Sequence, residues 1–202
     1  MDNAEGADIA ALVGARICHD LAGALGALGN GVELVERAGT SGAELEMVAD
    51  TARGAQDRLA TLRMAFAPAG DEATSVTPVM LHRVARGLRE TSRLAVSWQP
   101  VDTALPRREV RLAVLLGLCA GSAMPRGGTL QIRADAEALT LDARGARCTP
   151  DPALWDLLEG APPPATLRPA QVHFAVAAME LHRRQRRLSM RQPEPGALQL
   201  RC

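Results

Sequence analysis

From Asp8 to Ala67 the chain contains no proline and is built largely from alanine, leucine, glycine and glutamate. Such a stretch is predicted to be helical, and Ala38-Gly39-Thr40-Ser41-Gly42 divides it into two long helices. Ser41 and Glu44 stand at the spacing of a capping box for the second helix. The result is a helical hairpin. One hairpin buries little apolar surface, so it is expected to pair with a second copy into a four-helix bundle. Pro68-Ala69-Gly70-Asp71 punctuates the chain as a linker, which bounds the hairpin domain at residues 1–68.

The second domain, residues 77–202, mixes elements. Pro78 to Arg93 reads as a helix with proline in its first turn, and Leu94 to Gln99 as a short strand. Pro106 to Met124 is strongly apolar and helical, and Pro125-Arg126-Gly127-Gly128 is a turn. Thr129 to Ala134 and Ala138 to Asp142 alternate like paired strands. Pro152 to Glu159 is a short helix, Arg168 to Gln185 a longer one, and Arg187 to Met190 and Ala197 to Arg201 are closing strands. Helices on one face of a mixed sheet are the predicted layout, an α/β sandwich.

Composition closes off several functions. Acidic and basic residues balance at 23 each, so nothing global points to nucleic acid or an anionic membrane. Every basic residue is arginine, which removes Schiff-base chemistry and the lysine of a P-loop. Two Trp and two Phe, without Tyr, are a poor basis for stacking on bases. Cys18, Cys119, Cys148 and Cys202 form no CxxC pair and no zinc-spaced cluster with histidine. The acidic N-terminus has no signal-peptide pattern, and no apolar run is read as approaching the roughly 20 residues of a membrane span. A cytoplasmic protein with reduced thiols is expected. Arg183-Arg184-Gln185-Arg186-Arg187 is read as a basic cap on a helix C-terminus, not as a nucleic-acid contact.

The first helix singles out one histidine. At about 100° per residue, Val13, Ile17, Leu21, Leu28, Val32 and Val35 gather on one side. His19 lies opposite that stripe, with Arg16, Gly23, Gly26 and Asn30 on its own face. It is therefore predicted to be exposed on a strip of small residues that admits a partner close to the backbone. Gly23, Gly26, Gly29 and Gly31 each cost about 1 kcal/mol against alanine in a helix interior. Tight helix packing and a docking surface both account for that cost. Asp20 follows His19 directly. A neutral imidazole is a nucleophile near neutral pH, and a carboxylate can accept a hydrogen bond from one ring nitrogen and make the other more basic. His82, His173 and His182 have no comparable setting and are read as structural.

Arg16-Ile17-Cys18-His19-Asp20-Leu21, followed by Gly26-Ala27-Leu28-Gly29-Asn30-Gly31-Val32-Glu33-Leu34, closely resembles the H-box region of ChpT-type histidine phosphotransferases. Ala24 departs from it, where these H-boxes often have proline. The resemblance covers essentially the whole chain and implies a fold of the histidine-kinase type: a dimerising phosphotransfer hairpin, then a degenerate, Bergerat-like ATP-binding domain. Its boxes are altered here. Leu115 to Gly128 looks like an N-box and its turn, with Cys119 where the Mg²⁺-binding Asn belongs. A buried thiol is a poor ligand for a hard cation. Ala143-Arg144-Gly145-Ala146-Arg147 falls at the adenine-reading DxGxG box, with Ala143 in place of its Asp and Arg147 in place of its second Gly. Asp142, one residue early, is predicted to point to the other face of the strand. Arg168-Pro169-Ala170-Gln171-Val172 stands where a glycine-rich lid would close over phosphates.

The resemblance thus implies a phosphohistidine relay without ATP and without a cofactor of its own. His19 is the implied phosphoacceptor and Asp20 orients its ring; Arg16, Gly23, Gly26 and Asn30 are the implied docking positions. The implied partners are a second copy of the chain, the receiver domain of a hybrid histidine kinase, and response regulators. The receiver domains bring Mg²⁺ and lysine. An active sensor kinase core and a non-catalytic adaptor of the same fold are the rival readings.

Overall fold

The computed structural model describes residues 3–38, 42–67, 74–99, 104–134, 138–164 and 166–202. The sequence-predicted helix break, the Ser41 capping box and the Pro68–Asp71 linker lie outside the described residues. Two long helices come first, α1 (Asn3–Ala38) and α2 (Gly42–Phe66), and they pack against each other as a hairpin. The close approach is made at Gly31, where a Cβ would stand 3.0 Å from Cγ2 of Val48. At Gly23, Gly26 and Gly29 a Cβ would meet nothing within 4 Å among the described residues. Intrachain packing therefore explains Gly31 and leaves the other three facing open space.

The apolar stripe of α1 is only partly covered. Val13, Ile17, Leu21, Leu28 and Val35 are half-buried, Val32 is exposed, and Leu25 is 67% exposed. Leu34, Leu45 and Met47 are exposed as well. One correction to the sequence reading follows from this helix. By length and composition Asp8–Val35 is apolar enough to cross a membrane, because alanine, leucine and glycine outweigh its few charges.

The rest of the chain builds the α/β domain. Strand β1 (Ser75–Val76) pairs antiparallel with β3 (Leu105–Pro106), a two-residue ladder not anticipated from sequence. Helix α3 (Pro78–Ser92) begins as predicted: Thr77 caps it by accepting from the Met80 amide, and proline occupies the first turn. Arg93 ends it in the left-handed conformation, at φ 60°. Then follow β2 (Leu94–Gln99), α4 (Arg107–Ala123), β4 (Gly128–Ala134), β5 (Leu139–Arg144), α5 (Pro152–Leu158), α6 (Val172–Arg183), β6 (Ser189–Arg191) and β7 (Ala197–Arg201). The helix predicted from Arg168 starts instead as a 3-10 turn, Pro169–Gln171, and becomes α-helical at Val172.

The main sheet has the order β2-β4-β5-β7-β6; β2 and β4 are parallel and the other pairs antiparallel. Strand alternation decides which face is covered. Leu130, Ile132, Leu139, Leu141, Ala143, Leu198 and Leu200 are buried on one face, where α4, with Leu115, Leu116 and Cys119 fully buried, completes the core. Arg133, Asp142 and Gln199 lie on the other face, where Asp142 accepts from both Arg133 and Gln199. Gly127, at φ 76°, makes the turn that sets β4 beside β2; its own Cβ would stand 2.6 Å from the Arg93 carbonyl oxygen.

Helices α2 and α3 hold the hairpin to the α/β domain. Asp57, buried on α2, accepts from Arg83 Nε at 3.0 Å and Arg86 Nε at 2.7 Å, both on α3. Thr61 Oγ1 lies 3.1 Å from the carbonyl oxygens of both Asp57 and Val84. At Gly87 the backbones nearly touch: a Cβ there would stand 2.0 Å from the Asp57 carbonyl oxygen.

Candidate functional site

His19 projects from the middle of α1, and its side chain is 86% exposed. That is the position the helix geometry assigns it. Its Nδ1 faces Asp20 Oδ1 at 3.2 Å, which leaves Nε2 directed outward. Asp20 is not a solvated carboxylate: its side chain is 12% exposed, and its other oxygen, Oδ2, accepts from Arg16 Nε at 2.7 Å. Gly23, Gly26 and Asn30 are exposed on the same helix, and the two glycines leave the backbone bare.

Arg16 departs from its expected place on the open strip. Its side chain is only 14% exposed. Besides Asp20 it donates from a terminal nitrogen to the carbonyl of Ala170 at 2.9 Å, in the 3-10 turn before α6. The 3-10 turn Pro169–Gln171 is therefore packed against the histidine helix. Gln171 Oε1 closes the same turn by accepting from the Arg168 amide at 3.2 Å.

Beneath this contact lies His173, buried at the start of α6. Its Nε2 is 3.1 Å from Ser122 Oγ, and Ser122 in turn donates to the Leu118 carbonyl. Nδ1 is buried and has no hydrogen-bond partner among the described residues. Burial, with a lesser contribution from the charge of Arg16, pushes the His173 pKa down to about 3, so the ring is neutral. It supports α4 and α6, in keeping with its structural reading.

The altered boxes are equally concrete. Cys119 is fully enclosed in α4, and burial pushes its thiol pKa up, so no thiolate is offered to a cation. Ala143 faces the core, while Asp142 points to the opposite face and is bonded to Arg133 and Gln199. Among the described residues, no group of three or more His, Cys, Asp or Glu side chains is arranged to hold a metal ion. The basic run at the end of α6 is folded into the protein: Arg184 and Arg186 reach Glu109, and Arg183 reaches Glu180.

Residues 78–196 match the family model of the histidine phosphotransferase C-terminal domain. The chain belongs to the histidine phosphotransferase family. Among the family's proteins, the protein phosphotransferase ChpT of Brucella abortus (strain 2308) is 29% identical over 160 residues, which are 77% of this chain and 77% of that one. The matched model begins at the first residue of α3, so the sequence of the α/β domain carries the family signal. A solved structure of a bacterial phosphotransferase superposes with a TM-score of 0.77 at 24% identity, over 96% of this chain and 95% of the other. The fold seen here, a helical hairpin followed by a mixed α/β domain, is shared along both chains. Sequence reasoning missed the Arg16–Ala170 contact, for which no local signal exists.

Proposed function

We propose that this histidine phosphotransferase relays a phosphoryl group through His19 between receiver-domain aspartates: from the receiver of a hybrid histidine kinase to response regulators. The observation that carries the reading is the exposed imidazole with one nitrogen directed at a held carboxylate and the other facing outward. The Nε2 lone pair attacks phosphorus, the bond from phosphorus to the donor aspartate oxygen breaks, and the aspartate leaves as a carboxylate. The N–P bond so formed makes the ring cationic, and Asp20 stabilises that charge at Nδ1–H. The second transfer is the same exchange in reverse, onto the acceptor's aspartate. Phosphoryl transfer needs chiefly positioning and charge stabilisation, and the receivers bring Mg²⁺ and lysine.

The α/β domain is read as a kinase-type ATP-binding fold that has lost its nucleotide. Cys119, Ala143 and the docked 3-10 turn at Ala170 support that reading. The small-residue face at Gly23, Gly26 and Asn30 is the proposed receiver contact, and the half-covered hairpin is proposed to complete its core in a cytoplasmic homodimer. The deciding experiment follows labelled phosphate from a phosphorylated receiver domain. Label is expected on the wild-type protein and absent from His19→Ala. Self-labelling with ATP and Mg²⁺ alone would instead make the protein a kinase.

A further inference from the structure

Arg16 connects two parts of the molecule that the chain separates by more than 150 residues, and it does so at the phosphoacceptor. Its Nε binds the Asp20 oxygen that His19 does not use, at 2.7 Å, and a terminal nitrogen binds the Ala170 carbonyl, at 2.9 Å. On a free helix, a basic residue four positions before an acidic one is the weaker order of an i,i+4 pair. The third anchor changes this. With the guanidinium pinned to Ala170, the Asp20 carboxylate has a fixed partner on one oxygen, and its other oxygen is held toward His19 Nδ1. A held acceptor at Nδ1 selects the tautomer with hydrogen on Nδ1 and the lone pair on Nε2, the exposed nitrogen.

We infer that Arg16 is a positioning residue: it ties the orientation of Asp20, and through it the tautomer of His19, to the 3-10 turn of the α/β domain. This rests on the relay reading of His19 and adds a task for the second domain. Where a nucleotide lid would close, Pro169–Gln171 instead braces the carboxylate that prepares the histidine. A docking arginine would need to be free to reach a partner; at 14% exposure, with both functional edges engaged, Arg16 is not.

The test uses the full-length protein and separates positioning from docking by using phosphoramidate, a small donor that needs no receiver surface. In wild type, ¹⁵N NMR of the ring should show the Nδ1–H tautomer of His19 dominating its neutral form. Arg16→Ala should lower that share and slow His19 phosphorylation by phosphoramidate about 10-fold or more, the usual scale for losing a residue that orients a reactive imidazole. Arg16→Lys can hold only one of the two partners at a time and should fall between. An unchanged tautomer and rate in a folded Arg16→Lys or Arg16→Ala protein overturns the inference while the relay stands. Wild-type protein that accepts nothing on His19 from a phosphorylated receiver overturns the relay, and the tautomer comparison still decides the role of Arg16.

Discussion

Asp20 spends its two oxygens on different partners, and that division gives the neighbouring imidazole a direction. A carboxylate left in water would rotate and share its time between solvent and ring. His173 shows the opposite use of the same side chain. It is buried, neutral and bonded to Ser122, with its pKa at about 3 because burial disfavours the cation. In the unfolded chain this ring titrates near 6.5. Below that pH the unfolded state binds a proton that the folded state refuses, so the contribution of His173 to stability is fully present above about pH 6.5 and is lost as pH falls toward 3. The slope for one proton is about 1.4 kcal/mol per pH unit. Urea midpoints measured from pH 7 to pH 4 should fall more steeply in wild type than in His173→Gln, and equal slopes would assign the acid sensitivity to other groups. At this scale the sequence was a good guide to His19, because exposure on a helix follows from local geometry. It was a poor guide to Arg16, whose burial is decided by the Ala170 carbonyl far along the chain.

Among elements, α1 carries the small-residue face and shares the exposed apolar face with α2. Its glycines divide by environment: Gly31 lets α2 approach, whereas Gly23 and Gly26 meet nothing. Gly26→Ala should therefore stabilise the protein by about 0.5–1 kcal/mol through helix propensity alone. If the small-residue face receives the partner, the same change slows transfer from a phosphorylated receiver and leaves the reaction with phosphoramidate unaltered. Thermal melts and the two transfer rates together check this; unchanged receiver kinetics would remove Gly26 from the docking surface. The longer elements were legible because their periodicity repeats over several turns or pairs. The β1–β3 ladder was not, since two residues per strand hold no period and the pairing joins distant segments. The 3-10 start of α6 escaped for a related reason: Pro169 removes an amide without revealing which helical hydrogen-bonding pattern follows.

For the whole molecule, the hairpin and the α/β domain solve the burial problem unequally. The domain encloses a continuous core behind its sheet, while Leu25, Leu34, Leu45 and Met47 of the hairpin stay in water within one chain. Apolar side chains left in this way favour association through the area they remove from water. An obligate dimer makes the melting temperature depend on concentration, and each tenfold increase in protein adds about 1.4 kcal/mol to the folded dimer. Melts across a hundredfold range of concentration should rise together with the dimer fraction seen by light scattering; a constant melting temperature and a monomer mass would leave these residues to another partner. The sequence pointed to this unfinished core because a two-helix hairpin cannot close one by itself.

The junction at Gly87 limits how such proteins can be recombined. With the α3 backbone against the Asp57 carbonyl, and Arg83 and Arg86 closing on the Asp57 carboxylate, the seam between the domains is cut to the shape of these particular residues. A chimera that grafts the hairpin of one relative onto the α/β domain of another would inherit mismatched halves of that seam. Workable crossovers have to fall after α3, so that α2 and α3 are inherited as a single module.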